Sequence, residues 1–145
     1  MTMSERRTGQ CLCGAVKVSA VVGADLQACH CTQCQRWTGG GPYLAVPVSD
    51  LEVEGETRLS AYHASAWGER AFCGTCGSTV FWRMQDKAPR SMAVGMLDDQ
   101  SGLKVTEEIF VDYRPSWLPP FEGAHQSTEA KEQIKLADYL AAQKG

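Results

Sequence analysis

The chain has 145 residues, 43% of them apolar, and its 14 Lys and Arg against 17 Asp and Glu leave a net charge of −3. Those values suit one soluble globular domain with a core of its own. An acidic chain without a basic run is a poor nonspecific nucleic-acid binder, because such binding runs on phosphate neutralisation, and no apolar run approaches the roughly 20 residues of a spanning helix.

Residues 1–8 read as a polar tail. They carry charge but no apolar segment follows them, so no secretory signal is expected, and a cytoplasmic location is. Val16, Val18 and Ala20 alternate with Lys17 and Ser19, the period of a half-buried strand. Residues 43–48 form an apolar run closed by Ser49 and Asp50. Leu51 and Val53 then alternate with Glu52 and Glu54 before Gly55 turns the chain. Three more strands are predicted at 79–82, 92–96 and 109–111. Short strands between Gly, Pro and Asp turns argue for a mainly β architecture, a sandwich or rolled sheet. Pro115, Pro119 and Pro120 make the next segment an irregular arm. From Glu129 the chain turns rich in Ala, Lys, Gln and Leu. Ile134, Ala137, Leu140 and Ala141 fall on one helical stripe, and Ser127 or Thr128 can cap it.

The seven cysteines carry the chemistry. They stand in three clusters: Cys11 and Cys13; Cys29, Cys31 and Cys34; Cys73 and Cys76. An odd number cannot be fully paired as internal disulfides. In a reducing compartment, spacings of one or two residues suit thiolates converging on a metal. Seven divides into a closed Cys₄ structural zinc site, for which Cys11, Cys13, Cys73 and Cys76 are the candidates, and an open site of Cys29, Cys31 and Cys34. Three protein ligands leave the position that a catalytic zinc requires. Spacing alone also permits the three-cysteine cluster to recruit another cysteine, and an iron–sulfur cluster is a softer alternative. Neither Cys-x-x-Cys is followed by an evident helix, which argues against a dithiol redox protein.

On an extended segment residues two apart share a face, so His30 points away from Cys29 and Cys31 and reads as support or packing. His63 and His125 lie far from any cluster and read as surface or loop residues. Arg36 can bind an anionic substrate or pair with a carboxylate, and Trp37 can line a pocket or fill the core. Gly39, Gly40 and Gly41 match no phosphate loop and read as a turn. Arg114 and Trp117 read as structural.

Three segments together resemble the glutathione-dependent formaldehyde-activating (GFA) family, also called CENP-V/GFA. They are Gly9-Gln-Cys-Leu-Cys-Gly14, then Cys29-His-Cys-Thr-Gln-Cys-Gln-Arg-Trp-Thr-Gly39, then Phe72-Cys-Gly-Thr-Cys-Gly77, with Val94–Asp98 and Trp117 also matching. The resemblance covers about residues 9–120. It implies an Mss4-like β-tent of short antiparallel strands with zinc knuckles, at 9–125, with a C-terminal helix at 126–145 packed on it. It also implies the partition above, with two Zn²⁺ per chain. The activity it implies is that of a carbon–sulfur lyase, the S-(hydroxymethyl)glutathione synthase reaction, with a small thiol such as glutathione and a small aldehyde as partners. Arg36 and Trp37 are the candidate substrate contacts, with Arg70 or Lys17 as further cations. Members often carry His where this chain has Glu108, and bulkier residues where it has Gly40 and Gly41. A noncatalytic zinc module that binds a protein partner is the alternative reading.

Overall fold

The computed structural model describes residues 4–144, leaving the side chain of Lys144 aside. The chain gathers into two compact units. The first holds the residues up to Leu26 and Leu44–Lys104; the second holds Gln27–Tyr43 and the chain from Val105 onward.

The first unit is built from antiparallel strands. β1 (Glu5–Gln10) pairs with β2 (Lys17–Val22), β2 with β4 (Tyr43–Glu54), and β4 with β8 (Ser91–Ala93). A separate sheet joins β5 (Leu59–Tyr62), β6 (Gly68–Cys73) and β7 (Thr79–Met84), again antiparallel. The alternation in β2 has its expected cause: Val18, Ala20 and Val22 are buried while Lys17 is exposed. Each valine so buried contributes about 1.5–3 kcal/mol. The expected polar tail is a strand at residues 5–8. Its side chains are largely exposed, so no apolar pattern marks it, but all six residues of β1 find partners on β2. Gly9 in β1 is dictated by contact, since a Cβ there would lie 1.9 Å from the Met96 carbonyl oxygen. The two strands expected at 43–48 and 51–53 are one twelve-residue strand, with Asp50 at φ 50° inside it.

The second unit contains β3 (Asp25–Cys29), whose first two residues fall in the other unit, and α1 (Thr32–Thr38). It adds β9 (Lys104–Ile109), β10 (His125–Ser127) and α2 (Glu129–Lys144). β10 joins β9 in parallel, the one departure from an otherwise antiparallel pattern among the pairings just described. The strand expected at 109–111 ends at Ile109, and residues 111–113 form a 3-10 turn entered through Phe110 at φ 56°. α2 is capped as expected: Thr128 Oγ1 accepts from the Lys131 N–H at 3.4 Å, and Asp112 Oδ1 accepts from the Glu129 N–H at 3.1 Å. Its expected apolar stripe is wrong, for Ile134 is 62% exposed and Ala137 and Ala141 are exposed too. The less exposed face runs through Glu132, Leu136, Tyr139 and Leu140. No described helix is long and apolar enough to cross a membrane.

Candidate metal centres

The two cysteine clusters fall one to each unit. In the first unit Cys11 and Cys13 follow the end of β1, in a tight turn rather than on a strand. The turn is closed by the Gly14 N–H on the Cys11 carbonyl at 3.1 Å and the Cys11 N–H on the Val16 carbonyl at 3.0 Å. Cys73 ends β6. The Gly77 N–H returns to the Cys73 carbonyl at 2.7 Å, and Gly77 has φ 80°, the left-handed conformation that glycine adopts without a Cβ clash. These two turns bring four sulfurs within 4.8 Å of one another. Cys11 and Cys13 Sγ lie 3.7 Å apart, Cys13 and Cys73 3.9 Å. Four sulfurs arranged tetrahedrally at the Zn–S distance of about 2.3 Å would be about 3.8 Å apart, so spacing and donor chemistry both fit zinc.

Electrostatics supports the same fit. The Ser78 hydroxyl, 3.2 Å from Cys76 Sγ, and the Ser78 backbone lower the Cys76 thiol to about 5. The Ala15 N–H favours the Cys13 thiolate, but desolvation and the sulfurs of Cys11, Cys76 and Cys73 push that thiol up to about 11. A cation among the four sulfurs would offset that mutual repulsion.

In the second unit β3 ends at Cys29, and Cys31 is the N-cap of α1, its sulfur accepting the Cys34 N–H at 3.3 Å. The sulfurs of Cys29, Cys31 and Cys34 lie within 4.8 Å of one another, and among the described residues no fourth Cys, His, Asp or Glu joins the group. The sulfurs of Cys31 and Cys34, then burial, raise the Cys29 thiol strongly. Three thiolates this close need a cation, and three soft donors suit Zn²⁺. The expectation that no helix follows either Cys-x-x-Cys is corrected here: α1 follows Cys31. Its seven residues are too few to show an apolar period.

Trp37 lies three residues beyond Cys34, on the neighbouring side of α1, and packs on Tyr43 with ring centroids 5.1 Å apart. Arg36, two residues on, faces another side; it is exposed, in the last helical turn. Gly39, Gly40 and Gly41 all have positive φ, and a Cβ on any of them would meet nothing within 4 Å. Lys17 and Arg70 belong to the first unit, where Lys17 Nζ donates to Gln10 Oε1 at 3.1 Å and Arg70 is buried.

His30 is fully buried and turned into a polar network. Its Nε2 donates to Glu108 Oε1 at 2.7 Å. Glu108, also fully buried, further accepts from Arg114 Nη1 at 3.2 Å, the Phe121 N–H at 2.9 Å and Gln126 Nε2 at 2.7 Å. Burial alone would push its carboxyl up, but Gln126, His30, the Phe121 N–H and Arg114 hold it below the usual range. Arg114 is structural as expected, bonding Glu108 and Gln126, whereas Trp117 is 70% exposed and fills no core. Gln35 and Gln126 give no sequence signal of their roles. His63 is a surface residue as expected, bonded to Glu69 at 2.7 Å, while exposed His125 lies on β10.

The profile of the glutathione-dependent formaldehyde-activating enzyme family matches residues 6–113, which include both clusters. The chain belongs to this family. It is 26% identical over 110 residues to a Schizosaccharomyces pombe protein described as an uncharacterized lyase, an alignment covering 74% of this chain and 80% of that one. A crystal structure of a Rhodobacter sphaeroides protein is similar at 28% identity with a TM-score of 0.52, covering 63% of this chain and 87% of the other. The family and the lyase relative support a GFA-type, lyase-like enzyme, and this chain, mainly β with a C-terminal helix, shares its fold family with the similar structure.

Proposed function

We propose that the chain is a zinc-dependent carbon–sulfur lyase that forms or cleaves a thiol–aldehyde adduct such as S-(hydroxymethyl)glutathione. The observation that carries this is the convergence of Cys29, Cys31 and Cys34 with no fourth protein donor among the described residues. Zinc bound there would supply a position for a substrate thiolate and lower that thiol's pKa. Cys11, Cys13, Cys73 and Cys76 would hold a second, structural zinc, giving two per chain.

In the forming direction a sulfur–carbon bond is made at the carbonyl carbon. The C=O π pair goes to oxygen, which ends as a hydroxyl carrying the proton the thiol lost. Cleavage reverses each change. The chain's share is proximity and orientation. Trp37, packed on the buried Tyr43 one turn beyond Cys34, offers an apolar face, the glycines at 39–41 leave open space at the end of α1, and Arg36 offers a cation to a glutathione carboxylate. The zinc domain, expected at 9–125, would begin with β1 at Glu5 and close with β10 at Ser127, with α2 from Glu129 as the helical tail, working in the cytoplasm where thiols are reduced.

Cobalt-substituted protein tests the reading. Added glutathione should change the thiolate-to-metal absorption band, and the protein should speed formation or breakdown of the formaldehyde adduct. An exposed Leu12, at 83% between Cys11 and Cys13, favours the alternative of a noncatalytic module presenting an apolar tip to a protein partner. No spectral change with any thiol and no rate above background with any aldehyde would leave that alternative standing.

A further inference from the structure

We propose that Glu108 is a positioning residue for the three-cysteine cluster, acting through His30. The inference rests on the reading that this cluster holds a metal ion. His30 stands between two of the three cysteines and is pinned at three atoms. Its N–H donates to the Ile109 carbonyl at 3.0 Å, its carbonyl accepts from Gln35 Nε2 at 2.7 Å, and its Nε2 donates to Glu108 at 2.7 Å. A residue so held fixes the directions in which its neighbours Cys29 and Cys31 leave the chain.

The side-chain part of this anchor depends on Glu108 alone. His30 Nδ1 is buried without a hydrogen-bond partner, so a ring that loses Glu108 has no polar contact left. Glu108 can hold the ring because it is itself immobile. Both oxygens are filled, by donors from His30, Arg114, Phe121 and Gln126. Every partner is a donor, so the position requires an acceptor on both sides. Glutamine, of the same size, would turn an NH₂ toward donors on one side. Preorganisation matters here because three thiolates repel one another and a cation must find them already gathered. Outer hydrogen bonds of this kind usually support a ligand side chain directly; here the support passes through the backbone between two ligands.

None of the residues in this network belongs to the unit that holds Cys11, Cys13, Cys73 and Cys76. That cluster is therefore an internal control. Zinc-loaded full-length protein is titrated with a chromophoric chelator, wild type first. Two sites of unequal grip uphold the metal reading; a single site overturns it and this proposal together. In Glu108→Gln the weaker site should lose about 10- to 100-fold in affinity, with the tighter site unchanged. Cobalt bound at the weaker site should show a shifted absorption band. Gln126→Ala removes one donor to Glu108 and should give a smaller loss at the same site, so it serves if Glu108→Gln does not fold. If both sites weaken alike, or only the melting temperature falls while both affinities hold, Glu108 supports the fold and not the cluster.

Discussion

Cys34→Ser and Cys76→Ser should fail in different ways. Losing a structural-site thiolate removes metal-binding free energy that counts as folding free energy, and a domain has only about 5–15 kcal/mol in hand. Cys76→Ser should therefore unfold or aggregate, whereas Cys34→Ser should lose one zinc and the activity with near-native circular dichroism. Equal collapse of the two variants would reverse the assignment of roles. Arg36→Ala should weaken glutathione by roughly the 1.5–3 kcal/mol of a charge-assisted hydrogen bond and spare a neutral thiol; equal weakening of both rules out a carboxylate contact. A third residue sets an acid limit. Burial would raise the Glu69 carboxyl, but the guanidinium of Arg83 and the imidazole of His63 hold it below the usual range. The folded pKa is depressed, so the stabilisation is full above the unfolded value of about 4.3 and is lost as pH falls through the folded one. Glu69→Gln should flatten the acid limb of a melting-temperature profile. An unchanged limb would show that other carboxylates set it. At this scale the ligands were legible because within each cluster the cysteines stand one or two residues apart, a spacing that lets neighbouring thiolates reach one ion. Glu108 was visible only as an unexpected residue, since its four donors come from places as distant as His30 and Gln126.

Elements with one wet face were legible, and those whose pattern is set by partners were not. β2 alternates because one side is core. β1 shows no such pattern and is held by its ladder to β2 and by the close approach at Gly9. α1 is too short for a period, and β10 is three residues whose parallel partner lies well back in the chain. α2 departs from its expected stripe: Ile134, Ala137 and Ala141 are exposed, and the less exposed side joins Leu136, Tyr139 and Leu140 to Glu132, which accepts from the Ser127 hydroxyl at 2.6 Å. Thr128→Ala should cost about 1 kcal/mol, the usual worth of an N-cap, and fray the first turn of α2 in hydrogen exchange. Unaltered protection there would mean that Asp112 alone suffices to cap it.

For the whole molecule, the expected inventory is two zinc ions of unequal grip. A mild chelator should remove the ion held by three thiolates first and leave the β-sheet signal intact, which paired metal analysis and circular dichroism would show. Simultaneous loss of both ions with the sheet would instead mean one cooperative unit. The fold class was legible from strand spacing and the family from three clusters in order. The division into two units was not, because it depends on which distant segments meet.

That division has a consequence for synthesis. The chain alternates between units: up to Leu26, then Gln27–Tyr43, then Leu44–Lys104, then the remainder. On a ribosome the first unit is complete once Lys104 has emerged, with all four of its cysteines in place. Cys29, Cys31 and Cys34 are made early, yet Glu108, Arg114 and Gln126 arrive last. If the four-cysteine cluster binds a metal ion, the nascent chain could hold it while the other three thiols still wait for the segment proposed to brace them.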